Sequence, residues 1–110
     1  MPIAPGEAHL LQSLVSSTPG GIASRILSKT SGGSVTLFSF DAGQGLTEHT
    51  SPFEALVQVL DGSLRLTIGS VPVRAVPGTV VRMPADVPHA VEADEPARML
   101  LTMLRGDPPA

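Results

Sequence analysis

From residue 22 to residue 104, apolar side chains tend to recur at every second position rather than every third or fourth. Gly, Pro, Ser and Asp cut this pattern into about nine short segments. They are 22–29, 35–40, 46–50, 53–60, 64–68, 71–76, 79–83, 89–93 and 97–104. Asp61-Gly62 and Gly69-Ser70 read as two-residue hairpin turns. Pro72 suits a sheet edge, because it has no N–H to donate. Many short strands at regular spacing predict an all-β sandwich or barrel. Only residues 7–15 show helical spacing, with Leu10, Leu11, Leu14 and Val15 as the apolar set and Glu7 in the first turn. A chain of 110 residues makes one compact domain. Its expected parts are an N-terminal arm with one short helix (1–20), a barrel (21–104) and a flexible tail (105–110).

Two strands break the rule that a sheet with one wet face alternates apolar with polar. In 53–60, Phe53, Ala55, Val57 and Val59 face one way and Leu56, Gln58 and Leu60 the other. In 97–104, Met99, Leu101 and Met103 oppose Leu100 and Leu104. Something must cover both faces, and a second copy of the chain is the economical cover, so a homodimer is expected. Charged residues are only 15 % of the chain, against about 25 % in ordinary domains, which points the same way.

Composition excludes several functions. A net charge of −3, no basic cluster and three Phe as the only aromatics argue against nucleic acid as a partner. Without cysteine there is no disulfide, thiolate metal site or Cys nucleophile. No apolar run approaches the ~20 residues that span a bilayer. The opening residues lack the basic start and apolar stretch of a secretory signal, so the expected location is the cytoplasm. The Gly pairs at 20–21 and 32–33 and the glycines at 43 and 45 are turns, because none opens a helix at phosphate-loop spacing.

The chemistry concentrates in two units. In the first, Gly43 is followed after five residues by His49, and the unit ends at Gly62. In the second, Gly78 is followed after five residues by Pro84 and then by His89. These units resemble the two motifs of the cupin superfamily, over residues 33–104, and the chain looks closest to small single-domain bacterial cupins without assigned function. The resemblance implies a double-stranded β-helix, a jelly-roll barrel, usually dimeric. It also implies, in many members, a divalent metal (Zn, Fe, Ni or Mn) held by three His and one Glu. Here the second His of the first motif falls on Ser51 and the Glu on Ala55. The Gly of the second motif is Asp86 and its final Asn is Ala93. Metal ligands reduce to His49 and His89.

The expected pocket comprises His49, His89, Ser51 and Ala55. Gln44 joins it if its loop bends inward, and Arg82 joins as an anion clamp if it faces in; the opposite strand parity makes Arg82 a surface or interface charge. Glu48 and Glu54 are expected to point away by strand parity. Without metal, His49 and His89 are two imidazoles bonded to each other, to Ser51 or to water. A metal-free isomerase route that pairs a His base with a Tyr acid lacks its acid, since the chain has no Tyr. His9 reads as a surface or helix-packing residue, and Met83, Met99 and Met103 as fillers of core or interface gaps. Three functions follow. The first is a small-molecule-binding barrel with His49 and His89 as anchors. The second is a metal-dependent oxygenase or isomerase with a reduced ligand set. The third is a non-catalytic structural dimer with a vestigial pocket.

Overall fold

The computed structural model describes residues 2–106. Nine strands form where the period-two pattern puts them: β1 Ile22–Thr30, β2 Gly33–Phe40, β3 Gly45–His49, β4 Glu54–Asp61, β5 Leu64–Ile68, β6 Val71–Ala75, β7 Val80–Met83, β8 His89–Glu92 and β9 Ala97–Leu104. They make two antiparallel sheets, β1-β2-β9-β4-β7 and β3-β8-β5-β6. Two facing sheets with this order form a jelly-roll barrel. The helical element is a single 3-10 turn, Leu11–Ser13, inside the stretch 7–15. No helix among the described residues is long and apolar enough to cross a membrane.

The inner faces meet in one core. Phe40, Val57, Val59 and Met99 from the larger sheet pack with Leu64, Leu66 and Val91 from the smaller. The turn into β5 depends on Gly62, whose φ is +70°. A Cβ there would lie 2.2 Å from the Pro96 carbonyl oxygen, so only glycine lets the hairpin approach the chain entering β9.

The outer face of the larger sheet carries a second core. Leu37 and Leu100 face each other across β2 and β9 and pack with Leu27, Val15 and Leu60. Ile3, Leu11 and Leu14 lie over this cluster, and the Ile3 amide donates to the Leu27 carbonyl at 3.0 Å. The N-terminal segment is therefore packed, and it covers part of the face for which a second subunit is expected. The 3-10 turn delivers Leu11 and Leu14 to that surface, and the chain does not continue as a regular helix. Asp41 secures the junction: its carboxylate accepts the amides of Gly20 and Ala42, which holds its pKa below the usual aspartate value. Further along the face, Leu56 is half-buried, and Val80 and Leu104 are exposed.

Arg105 belongs to the expected tail, yet its amide donates to the Gly32 carbonyl at 2.8 Å and its guanidinium lies 5.0 Å from the Phe53 ring centre. Residues 107–110 of that tail lie outside the described residues.

Two substitutions separate the second core from its surroundings. Leu37, fully buried, should cost roughly 2–5 kcal/mol when changed to Ala. Ile26, half exposed on the neighbouring strand, should cost less than about 1 kcal/mol. Urea denaturation of Leu37→Ala and Ile26→Ala tests this, and equal losses would contradict a core outside the sheet.

Candidate functional site

The site begins with an irregularity in β3. Leu46 pairs with Val91 and His49 with His89, so Thr47 and Glu48 together oppose Ala90 alone. This bulge adds one residue and shifts the parity of the strand. As a result Leu46 and His49, three apart, both turn to the barrel interior, while Glu48 stays exposed. Gly45 permits the close pairing, because a Cβ there would lie 2.2 Å from the Val91 carbonyl oxygen. His89 reaches the interior by simple alternation with Val91.

The loops on either side lock the pair. The Asp86 amide donates to the Ser51 carbonyl at 2.8 Å, joining the loop after β3 to the loop before β8. Asp86 adopts φ +64°, a left-handed conformation that suits the Gly of the cupin motif. The backbone geometry thus persists although the residue has changed.

His49 and His89 meet at Nε2–Nε2, 3.0 Å apart, with ring centres 4.3 Å apart and planes at 73°. His49 Nδ1 lies 2.8 Å from the Thr47 carbonyl, and His89 Nδ1 lies 3.1 Å from the Val87 carbonyl. Each of these three contacts needs one hydrogen. Two neutral imidazoles carry one N–H each. A carbonyl can only accept, so two neutral imidazoles leave one of the three contacts without a hydrogen; with both Nδ1 atoms donating, it is the Nε2–Nε2 contact. The arrangement is one proton, or one cation, short of complete. His89 is 5 % exposed and His49 reaches solvent, so the gap between them sits at the mouth of the interior.

Behind the pair lies an enclosed cavity of about 40 Å³. Leu46, Val91 and Leu101 supply apolar wall, Ser51 and Ala55 line it, and Met83, Met99 and Met103 complete it. Ser51 Oγ accepts the Phe53 amide at 3.1 Å and so is already engaged in the turn. Register explains the methionines: Ala55 pairs with Met83 on one side and Met103 on the other. The position of the motif's carboxylate is therefore a gap between two thioethers. The packing role expected for Met83, Met99 and Met103 does not include this wall, because the pairing of three strands is not written in any one of them.

Two expected pocket residues do not line this cavity. Gln44 lines a separate, open hollow on the outside of the smaller sheet, and its backbone carbonyl accepts the Ala93 amide. The bend of its loop is thus taken up by pairing with β8's end. Arg82 pairs with Leu56 on the outer face of the larger sheet and forms an ion pair with Glu54. The parity that points Ala55 inward points both Glu54 and Arg82 out. His9 lies 3.1 Å from the Ala4 carbonyl, within the N-terminal segment.

A divalent ion with the family's ligand set does not fit these residues. Two imidazoles converge, but Ser51 offers only a hydroxyl, Ala55 has no donor atom, and no group of three or more His, Cys, Asp or Glu is placed to hold a metal among the described residues.

Comparison with known proteins agrees with the geometry. Residues 36–103 match the family model of the cupin domain. A conserved protein of unknown function from Streptococcus pyogenes is 32 % identical, with 96 % of this chain and 93 % of that one covered and a TM-score of 0.89. A cupin superfamily protein from Desulfitobacterium hafniense is 27 % identical, with 93 % and 94 % covered and a TM-score of 0.86. A cupin 2 conserved barrel domain protein from Leptotrichia buccalis is 35 % identical over 84 % of this chain and 45 % of that one, with a TM-score of 0.81. No curated protein matches the sequence.

Two predictions follow from the geometry. Asp86→Gly relieves an L-residue in the left-handed region and should raise stability by up to about 1 kcal/mol, seen as a higher denaturation midpoint. Ser51→His combined with Ala55→Glu restores the missing donors. Zn(II) or Ni(II) at a thousandfold excess over its dissociation constant should then stabilise the double variant by about 4 kcal/mol, and leave the parent unmoved in the same thermal scan.

Proposed function

The chain belongs to the cupin superfamily, and we propose that it is a small-ligand-binding barrel whose polar anchor is the His49–His89 pair. One observation carries this reading: two Nε2 atoms 3.0 Å apart at the mouth of an apolar cavity. A ligand that offers a hydrogen-donating head, a protonated carboxyl or a hydroxyl, to this pair and a short apolar end to Leu46, Val91 and Leu101 matches that division of chemistry. Typical organic ligand pockets measure about 300–1,000 Å³. The interior of about 40 Å³ takes only a few heavy atoms, so the bulk of any larger ligand lies outside, beside His49.

The reading includes a homodimer and a cytoplasmic location. The dimer is supported by Val80, 59 % exposed, and Leu104, 46 % exposed, on the same outer face as half-buried Leu56. The N-terminal segment leaves this end of the face uncovered. The absence of cysteine accords with a reducing compartment.

The experiment is a thermal-shift screen of short-chain carboxylic acids and alcohols against the protein and its His49→Leu, His89→Leu variant. A ligand at a hundredfold excess over its dissociation constant adds about 2.7 kcal/mol, a rise of roughly 10 °C in a domain of this size. The expected result is such a rise in the parent and none in the variant. A parent that no compound stabilises, with a variant more stable than the parent, would overturn the proposal in favour of a pocket without a ligand.

A further inference from the structure

A cation can bridge the two Nε2 atoms of the His49–His89 pair, and the groups around the pair decide which kind fits. The cavity walls carry no carboxylate; the other donors that line it are the engaged Ser51 hydroxyl and the thioethers of Met83, Met99 and Met103. We propose that this cavity is a site for a soft monovalent cation, Cu(I) or its analogue Ag(I), bound by His49, His89 and the Met83 and Met103 thioethers. The proposal rests on the His49–His89 cavity being the binding site.

Three physical arguments converge. The first is softness. Thioether sulfur prefers Cu(I), whereas Mn, Fe and Zn sites draw on carboxylate, imidazole and water. The second is charge. The cost of taking an ion out of water grows with the square of its charge, so a divalent ion costs about four times as much as a monovalent one before any attraction is counted. With neutral imidazoles and thioethers, no anion offsets that cost. The third is register. Ala55, the smallest chiral residue, sits where the motif has its carboxylate, and its two cross-strand neighbours are both methionines facing inward. Met83 is 3 % exposed and Met103 half-buried, and both line the cavity.

The imidazole geometry accommodates the ion. Two nitrogens each about 2.0–2.1 Å from a shared metal, at a right angle, are about 3 Å apart. The observed separation is 3.0 Å, and a wider angle needs only a small opening of the exposed His49 ring. Both Nδ1 atoms donate to backbone carbonyls, which fixes the tautomer that leaves Nε2 free to ligate.

The test is anaerobic competition for Cu(I) against a chromophoric Cu(I) chelator, using the full chain, with Zn(II) as challenger. The variants are Met83→Leu, Met103→Leu together, and His49→Ala. Leu for Met conserves core volume, and the thermal midpoint of the metal-free variant verifies that the fold is kept. One Cu(I) per chain is expected, undisplaced by equimolar Zn(II) and abolished by His49→Ala. Loss of the two thioethers should weaken Cu(I) by at least about tenfold. X-ray absorption of the loaded protein should show both nitrogen and sulfur neighbours. Displacement by equimolar Zn(II), or unchanged Cu(I) affinity in the methionine variant, would overturn the proposal. So would the binding of neither ion; in that case short acids or alcohols that still stabilise the parent would leave the ligand-binding reading intact.

Discussion

Strand β9 has two insides, and the architecture depends on that. Its inward residues, Ala97 and Met99, close the core between the sheets, and Leu100 on its other face closes the core under the N-terminal segment. It pairs with β2 on one edge and β4 on the other, so it fixes the register of both. A slip of one residue would exchange the two apolar sets and turn Met103 out of the cavity. The same pairing that buries the core therefore determines what stands beside Ala55. Packing and site are not separable in this barrel.

The opposite wall is set by a local departure from regularity. Without the bulge, His49 would face outward with Glu48's present exposure, since strict alternation from Leu46 places residues 48 and 50 inside. One extra residue in β3 brings His49 to His89 at the cost of a broken ladder. The loop around Asp86 supports it by bonding to Ser51. The result is a pair whose three polar contacts outnumber its two hydrogens. Buried polar groups that lack a partner are expensive, and His89 is the buried member of the pair, whereas His49 is exposed and can draw on solvent.

Much of the fold was legible in the sequence, for a physical reason. Period two and turn residues are local signals, and β9 lies where they placed it, at Ala97–Leu104. The apolar outer faces were legible too, but not their cover. Ile3, Leu11 and Leu14 reach the sheet as an extended segment with one 3-10 turn, and helical spacing could not reveal that. In the site, His49 and His89 could be paired by motif spacing, whereas the roles of Met83 and Met103 depend on which strands flank β4. Gln44 and Arg82 show the limit of proximity along the chain: each is near the cavity in sequence, and each is turned away from it by pairing.

The centre departs from the cupin motif at two positions together. Position 55 offers no carboxylate and position 51 no imidazole, so negative charge and hard donors are both absent. With the carboxylate alone missing, three imidazoles would still serve zinc. Had the site merely decayed, leucine, valine and isoleucine would fill the space as well as methionine and pack with better-defined rotamers. Instead the two cross-strand neighbours of Ala55 are both flexible thioethers, and both imidazoles keep the carbonyl contacts that aim Nε2 at a common point. The imidazoles are oriented at a centre that has neither a carboxylate nor a third imidazole, and that combination suits a soft, singly charged guest better than a divalent metal.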